Sequence, residues 1–180
     1  MNINMDSLET LGYTIIKNVL TSDQVKDYKT RFHTWWDFTV KNVPPHGVIQ
    51  HYRIGHQPFV WKLRTEQSVQ LPFKEIFGTN DLVASFDGWG YMPKNVNRRH
   101  VNWFHVDQAP KDPGFKSVQG VVALTTNLKR TFKIIPRSHT LFGRYFDENV
   151  PKSDSKRWHK VDSEWYKDQG LISIDIQLKE

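Results

Sequence analysis

The six residues WFHVDQ, from Trp103 to Gln108, set a histidine and an aspartate two positions apart in an aromatic context. If the segment is extended, side chains alternate between its two faces, so His105 and Asp107 point to the same side. An imidazole and a carboxylate that lie this close can bind one metal ion. With a second, distant histidine they would form the facial triad that leaves open positions on Fe(II). A His-x-Asp triplet alone is common in proteins, so the residues around it decide whether it indicates a metal site.

Length and composition set the class of protein. The chain has 180 residues, enough for one domain with a core, and 38% of them are hydrophobic and 13% aromatic, which argues against disorder. No run approaches the roughly 18 apolar residues of a membrane span, and the first ten residues lack a signal-peptide pattern. The chain has no cysteine, so a metal site must use His, Asp or Glu. We therefore expect a globular cytoplasmic protein that does not enter a membrane.

The charge is basic, with a formal net charge of +6 and a pI near 9.5. This balance is compatible with anionic partners, although an ordinary solvated surface with an excess of lysine is the favoured explanation. The tightest basic cluster is Arg98-Arg99-His100. One interpretation is a nucleic-acid-binding module, in which these arginines contact phosphates while aromatic rings stack on bases. No helix-turn-helix, zinc-finger or RNA-recognition signature supports that interpretation.

Local patterns predict helices first and strands later. Thr21 and Gln24 form a capping-box pattern before a helix whose apolar positions include Val25, Tyr28, Phe32, Trp35 and Trp36. A second helix is predicted over 66–77, closed by Gly78. Strands are predicted at Leu11–Leu20, Leu82–Phe86, Val118–Leu124, Phe132–Ile135 and Ile172–Leu178, and a helical turn at Leu141–Phe146. This order predicts one α+β domain over 1–180, helical over about 1–78 and rich in strands over about 79–180.

Several motifs together resemble a known family. They are Gly12–Ile16, Phe77–Gly88, Trp103–Gln108, Val118–Gly120 and Pro136–His139. In this order and spacing, over about residues 10 to 178, they resemble the phytanoyl-CoA dioxygenase-like branch of the Fe(II)/2-oxoglutarate-dependent oxygenases. The resemblance implies a double-stranded β-helix, also called a jelly-roll or cupin-like fold, with the N-terminal helices packed on one sheet.

The resemblance also implies a chemistry. His105 and Asp107 would be catalytic residues that hold Fe(II), and 2-oxoglutarate would be the cosubstrate in hydroxylating a small organic molecule. Trp103 would help to exclude water from the centre. Gln108 or Gln119 could orient a metal ligand or the cosubstrate through a hydrogen bond. With Trp103 they are therefore candidate cofactor-binding residues.

A third protein ligand is harder to assign. His139 is the next histidine downstream and is the simplest candidate. In the resembled family, however, the histidine of this turn is generally not the ligand. The ligand histidine and an arginine that pairs with 2-oxoglutarate follow in later strands. About two such strands would be expected after Ile172–Leu178, but the sequence stops at Glu180. We therefore expect an incomplete triad and a C-terminally short β-helix.

Three functions remain open. The first is a working oxygenase whose site is completed by His139, a partner subunit or a second polypeptide. The second is a catalytically silent, truncated relative that acts by binding or as a structural protein. The third is the basic nucleic-acid-binding module. Absent closing strands would leave exposed β-edges, which predicts self-association or a partner chain. Fold-level resemblance does not identify the substrate.

Overall fold

A computed structural model of the chain describes residues 3–39, 42–86, 88–93, 102–112 and 114–178, and for residues 129–131 it describes the backbone alone. The structure is α+β. Its contacts divide the chain into two compact units. Unit 1 consists of Met1–Ile3, Ile16–Val101 and Glu180, and unit 2 consists of Asn4–Ile15 and Asn102–Lys179. The prediction of one domain, divided near residue 78, stays a prediction.

The helices and strands are short. The described helices are α1 (Met5–Leu11), α2 (Ser22–Thr39), α3 (Pro58–Thr65), α4 (Gln67–Phe77), α5 (Phe142–Asn149) and α6 (Ser163–Asp168). The described strands are β1 (Val48–Ile49), β2 (Trp89–Gly90), β3 (His105–Val106), β4 (Asn127–Ile134), β5 (His159–Lys160) and β6 (Ile174–Leu178). No described helix is long and apolar enough to span a membrane.

In unit 1, α2 begins as its sequence predicts. The backbone N–H of Gln24 donates to the Thr21 hydroxyl (3.2 Å), and the Gln24 side chain accepts from the Thr21 N–H (2.9 Å), which completes the capping box. The helix buries Val25, Tyr28 and Phe32. Phe32 stacks on Trp89 of β2, with ring centroids 5.0 Å apart. Three of the five predicted apolar positions of α2 are therefore core, whereas Trp35 and Trp36 are half-buried.

The predicted second helix is confirmed as α4, which ends at Gly78 in the left-handed conformation (φ 62°). The residues just before it form α3, a helix that the sequence pattern did not predict. The two helices are separated by Glu66, whose carboxylate accepts hydrogen bonds from the Tyr28 hydroxyl (2.5 Å) and the Gln24 amide (3.1 Å). This junction therefore ties α3 and α4 to α2. Nearby, β1 pairs with β2 in antiparallel register.

Unit 2 is built on two antiparallel strand pairs, β3 with β5 and β4 with β6. The predicted strands near 132–135 and 172–178 are confirmed as β4 and β6, and the helical turn at 141–146 as α5. Along β6, Ile176 is buried and Ile172, just before it, is exposed. The core of the unit consists of Ile135, Tyr145, Phe146, Val161 and Tyr166.

Three predicted strands are wrong. Leu11–Leu20 begins at the end of α1, whose C-cap Gly12 has φ 80°, and continues without strand structure. Leu82–Phe86 and Val118–Leu124 also form no strand, and Val83 is 99% exposed. These segments have β-forming composition, but no described strand pairs with them. A strand needs that pairing to satisfy its backbone hydrogen bonds.

The described strands pair only two by two. The double-stranded β-helix of the resembled family therefore stays a prediction, as does association through exposed β-edges. The basic cluster Arg98-Arg99-His100, on which the nucleic-acid interpretation depends, lies outside the described residues.

Candidate functional site

The central feature of the site is the His105–Asp107 pair. His105 lies on β3, where it is paired with Lys160 of β5, and Asp107 follows directly after the strand. The Nε2 atom of His105 lies 3.5 Å from Oδ2 of Asp107, and both side chains are partly accessible to solvent. The extended segment thus places the two side chains on one side, as the spacing predicts.

The other ring nitrogen of His105 has a partner of its own. Nδ1 lies 3.0 Å from the carbonyl oxygen of Trp103. A carbonyl only accepts, so the contact is a hydrogen bond when Nδ1 carries the proton. In the neutral ring the lone pair is then on Nε2, the atom next to Asp107. Metal-binding histidines usually donate their second N–H in this way.

The spacing of the two atoms can be tested against a metal ion. Bonds from a metal to imidazole nitrogen and carboxylate oxygen are about 2.0–2.2 Å long. Two ligand atoms bound to one ion can be at most about 4 Å apart. Nε2 of His105 and Oδ2 of Asp107, 3.5 Å apart, are therefore close enough to bind the same ion. The donor set of one imidazole and one carboxylate suits Fe(II) and Mn(II). The pair therefore fits two positions of a metal site.

The two predicted glutamines have different surroundings. Nε2 of Gln119 donates a hydrogen bond to Oδ2 of Asp107, the same oxygen that faces His105. Gln119 therefore holds the carboxylate in place. Nε2 of Gln108 donates instead to the carbonyl oxygens of Asp112 (2.6 Å) and Gly114 (2.9 Å), so its amide N–H groups hold the turn after the pair.

Two indole rings stack on the imidazole of His105. The Trp103 ring stacks on His105 with centroids 4.5 Å apart and planes inclined by 12°. Trp158 stacks at 5.6 Å and 28°. Trp103 is thus in the predicted site, but Trp158 was missed. Trp158 precedes β5 directly, so its contact with His105 depends on the β3–β5 pairing, which no local sequence pattern reveals.

His139 is placed elsewhere in unit 2. Its Nε2 lies 2.9 Å from the carbonyl oxygen of Glu9, and its ring packs against Gly12. The structure therefore does not bring it to the pair. Within the described ranges, no three His, Asp or Glu side chains form a group that could hold a metal ion. Among the described residues, His105 and Asp107 therefore have no third His, Asp or Glu side chain beside them that would complete a group of three.

Comparison with known proteins gives one distant relative. No family model matches the sequence, and no solved structure matches it. The protein "Ava biosynthesis cluster protein O" from Aspergillus versicolor is 23% identical in an alignment of 201 positions, which covers 96% of this chain and 65% of that protein. The chain thus spans about two thirds of the length of the curated relative it matches. This likeness does not test the resemblance to the oxygenase family.

Proposed function

We propose that this chain is an Fe(II)/2-oxoglutarate-dependent oxygenase-like protein that hydroxylates a small organic molecule. One observation carries the proposal: Nε2 of His105, on β3, lies 3.5 Å from Oδ2 of Asp107, directly after that strand, while Nδ1 of His105 is held by a backbone carbonyl. In this proposal β3 to β6 belong to a double-stranded β-helix, and a third protein ligand completes the site.

The metal and the cosubstrate would supply the oxidising chemistry. Held by His105 and Asp107, Fe(II) would supply the oxidation of a substrate C–H bond to C–OH by O2, coupled to the conversion of 2-oxoglutarate to succinate and CO2. Fe(II) rather than a thiolate-bound metal fits the residues here, because the chain has no cysteine and the pair offers one nitrogen and one oxygen ligand.

The chain's own residues would prepare the site. The Trp103 carbonyl holds the imidazole in the tautomer that exposes the Nε2 lone pair. Gln119 orients the carboxylate of Asp107. The two indoles would stack on the His105 ring, restrict its rotation and shield part of it from water.

A small organic substrate agrees with the name of the relative, which describes a biosynthesis cluster protein. The basic charge of the chain also suits an acidic cosubstrate such as 2-oxoglutarate.

The proposal is tested by equilibrium binding of Mn(II), a stand-in for Fe(II), followed by electron paramagnetic resonance of the free ion. We expect the full chain to bind about one ion and both His105→Ala and Asp107→Asn to weaken binding about tenfold or more. His51→Ala is the matched control, since His51 is an exposed histidine of unit 1. Unchanged binding in His105→Ala would remove the basis of the proposal.

The second candidate is a catalytically silent relative that acts by binding. It is favoured by the two-ligand character of the pair within the described ranges. It predicts no saturable Mn(II) binding and no turnover of 2-oxoglutarate by the wild-type chain, so the same titration separates the two candidates.

A further inference from the structure

The strand pair β3–β5 has one face in the core of unit 2 and one face open. Four side chains of the pair and of its flanking residues pack toward the core: Phe104, Val106, His159 and Val161. Successive side chains of a strand alternate between its two faces, so His105 and Lys160 belong to the other face. Lys160 is exposed, in agreement with this assignment. The open face therefore carries both the imidazole of the proposed metal pair and a lysine.

Lys160 lies directly across the ladder from His105. The backbone N–H of Val161 donates to the carbonyl oxygen of Phe104 (2.9 Å). Hydrogen-bonded and non-hydrogen-bonded pairs alternate along an antiparallel ladder, so the adjoining pair of His105 and Lys160 is a non-hydrogen-bonded one. Such pairs bring their side chains closest together, with Cβ atoms about 4.5–5.5 Å apart. Lys160 is therefore the cross-strand partner of the proposed metal ligand.

The stack of Trp158 on His105 supports this placement. Trp158 precedes Lys160 by two residues, so the two side chains share a face of the extended chain. The centroid of the indole ring lies 5.6 Å from that of the imidazole. The side of the segment that meets His105 is thus the side that bears Lys160.

Among the described residues, the Lys160 ammonium has no acidic partner. Every Asp and Glu of unit 2 lies within the described residues, and none of them forms an ion pair with Lys160. The acids close to it along the chain are used elsewhere. Asp162 accepts a hydrogen bond from the backbone N–H of Glu164 (2.9 Å), and Asp154 pairs with Lys156 (3.8 Å). The charge of Lys160 is therefore available to a bound molecule.

The charge at the pair would favour an anion. A divalent ion held by His105 and Asp107 would keep an uncompensated positive charge, because the pair contains one carboxylate and one neutral imidazole. Lys160 adds a second positive charge on the same face. A carboxylate that lies between the ion and the ammonium would compensate both charges.

We propose that Lys160 holds the carboxylate of an organic acid bound at the His105–Asp107 pair. The inference rests on the proposed function, because that function places the acid beside the metal. The ammonium is a compact charge on a flexible four-carbon stem, so it can follow a carboxylate at this face. The acid is either the 2-oxo acid cosubstrate, held by the carboxylate remote from its 2-oxo group, or an acidic substrate.

The test measures the binding of organic acids to the full chain loaded with Mn(II), through the relaxation that the ion imposes on the protons of the acid. 2-Oxoglutarate has a 2-oxo acid group and a second carboxylate, and 2-oxobutyrate has the 2-oxo acid group alone. If Lys160 holds the cosubstrate, Lys160→Gln should weaken 2-oxoglutarate binding about three- to tenfold and leave 2-oxobutyrate binding unchanged, since the ammonium is exposed and its pairing is partly screened.

A second arm identifies an acidic substrate. Glutarate has two carboxylates and no 2-oxo group, and it is titrated in the presence of saturating 2-oxobutyrate. If Lys160 holds the substrate, Lys160→Gln should weaken glutarate binding by the same about three- to tenfold and leave 2-oxoglutarate binding unchanged.

Two further variants and the affinity for Mn(II) make the assignment specific. Lys160→Arg keeps the charge and should bind both acids like the wild type. Lys152→Gln, which removes an exposed lysine in the turn after α5 of the same unit, is the matched control. Lys160→Gln should keep or raise the affinity for Mn(II), because it removes a positive charge beside the ion, whereas damage to the site would lower it.

The outcomes separate this inference from the proposed function. Normal Mn(II) binding with unchanged affinity of Lys160→Gln for all three acids would overturn the inference alone, as would an equal loss in Lys152→Gln. Lower Mn(II) affinity in Lys160→Gln would overturn it in favour of a structural role. A wild-type chain that binds no Mn(II) would overturn both the inference and the proposed function.

Discussion

Nε2 of His105 lies 3.5 Å from Oδ2 of Asp107, while Nδ1 of the same ring lies 3.0 Å from the Trp103 carbonyl oxygen. One nitrogen of the imidazole is thus held by the backbone, and the other faces the carboxylate. Because His105 lies on a strand paired with β5, a backbone ladder holds the imidazole, and Asp107 follows directly after that strand. Sites built on regular elements hold their ligand atoms more precisely than sites on loops.

Gln119 should control the carboxylate of the pair. Because its amide donates to Oδ2 of Asp107, Gln119→Leu removes the group that orients this oxygen. We expect Mn(II) affinity to fall about 10- to 100-fold, the usual effect of losing a partner of a metal ligand. Gln177→Leu, an exposed glutamine of β6 in the same unit, is the control. Equal affinities of the two variants would show that Gln119 does not position Asp107.

Trp158 should hold the imidazole in place. Its ring stacks on His105, and aromatic stacking contributes about 0.5–1.5 kcal/mol. Trp158→Ala should therefore weaken Mn(II) binding about two- to tenfold, whereas Trp158→Phe should keep most of it. The metal-free state gives a second readout, because the ring resonances of His105 should lose the indole ring-current shift in Trp158→Ala. Identical resonances in wild type and Trp158→Ala would contradict the stack.

Gly12 is required where the chain leaves α1. It has φ of 80°, and an added Cβ would lie 2.5 Å from Nδ1 of His139. Gly12→Ala should therefore lower the free energy of unfolding by about 1–3 kcal/mol, measured by urea denaturation with circular dichroism.

Gly143 provides the matched control for this substitution. It lies inside α5 with no atom within 4 Å of an added Cβ, so Gly143→Ala should stabilise the helix by up to about 1 kcal/mol. Two variants with the same change in stability would show that the Gly12 turn is not as described.

Tyr166 should make the stability of the chain depend on alkaline pH. Burial, helped by the nearby Tyr145, raises the pKa of the Tyr166 phenol from 10.0 to about 12. The contribution of the neutral phenol is complete below pH 10, and it is lost as the pH rises from 10 through about 12, because only the unfolded state ionises readily in that window.

Tyr166→Phe has no proton to lose. Between pH 8 and pH 11, the free energy of unfolding of this variant should therefore fall by about 1 kcal/mol less than that of the wild type. Urea denaturation at the two pH values measures the difference, and Tyr52→Phe serves as an exposed control. Parallel losses in wild type and Tyr166→Phe would contradict the assignment of this phenol.

Sequence patterns correctly predict the parts of the fold that depend on interactions between residues close together in the chain. The Thr21 and Gln24 side chains begin α2, and Gly78 ends α4, because capping groups act within one turn of the helix. The alternation within 103–107 likewise brings His105 and Asp107 together. The strand predicted at Leu82–Phe86 is wrong because a strand forms only beside a partner strand, and the sequence of the segment itself does not show whether one is present.

The missed parts of the site share that cause. Trp158 lies more than fifty positions after His105 and meets it only through the β3–β5 pairing. Helix α1 was missed for a different reason, since its signals are local: the Asn4 side chain accepts from the Ser7 N–H at its start, and Gly12 closes it. Those caps were readable in the sequence, but the apolar, β-branched residues that follow favoured a strand.

The most direct test of the oxygenase proposal is an anaerobic titration of the chain with Fe(II) and 2-oxoglutarate, observed through visible absorption. The proposal predicts a weak charge-transfer band that saturates near one equivalent of Fe(II) and is absent in His105→Ala. A folded wild-type chain that shows no band under these conditions would contradict it.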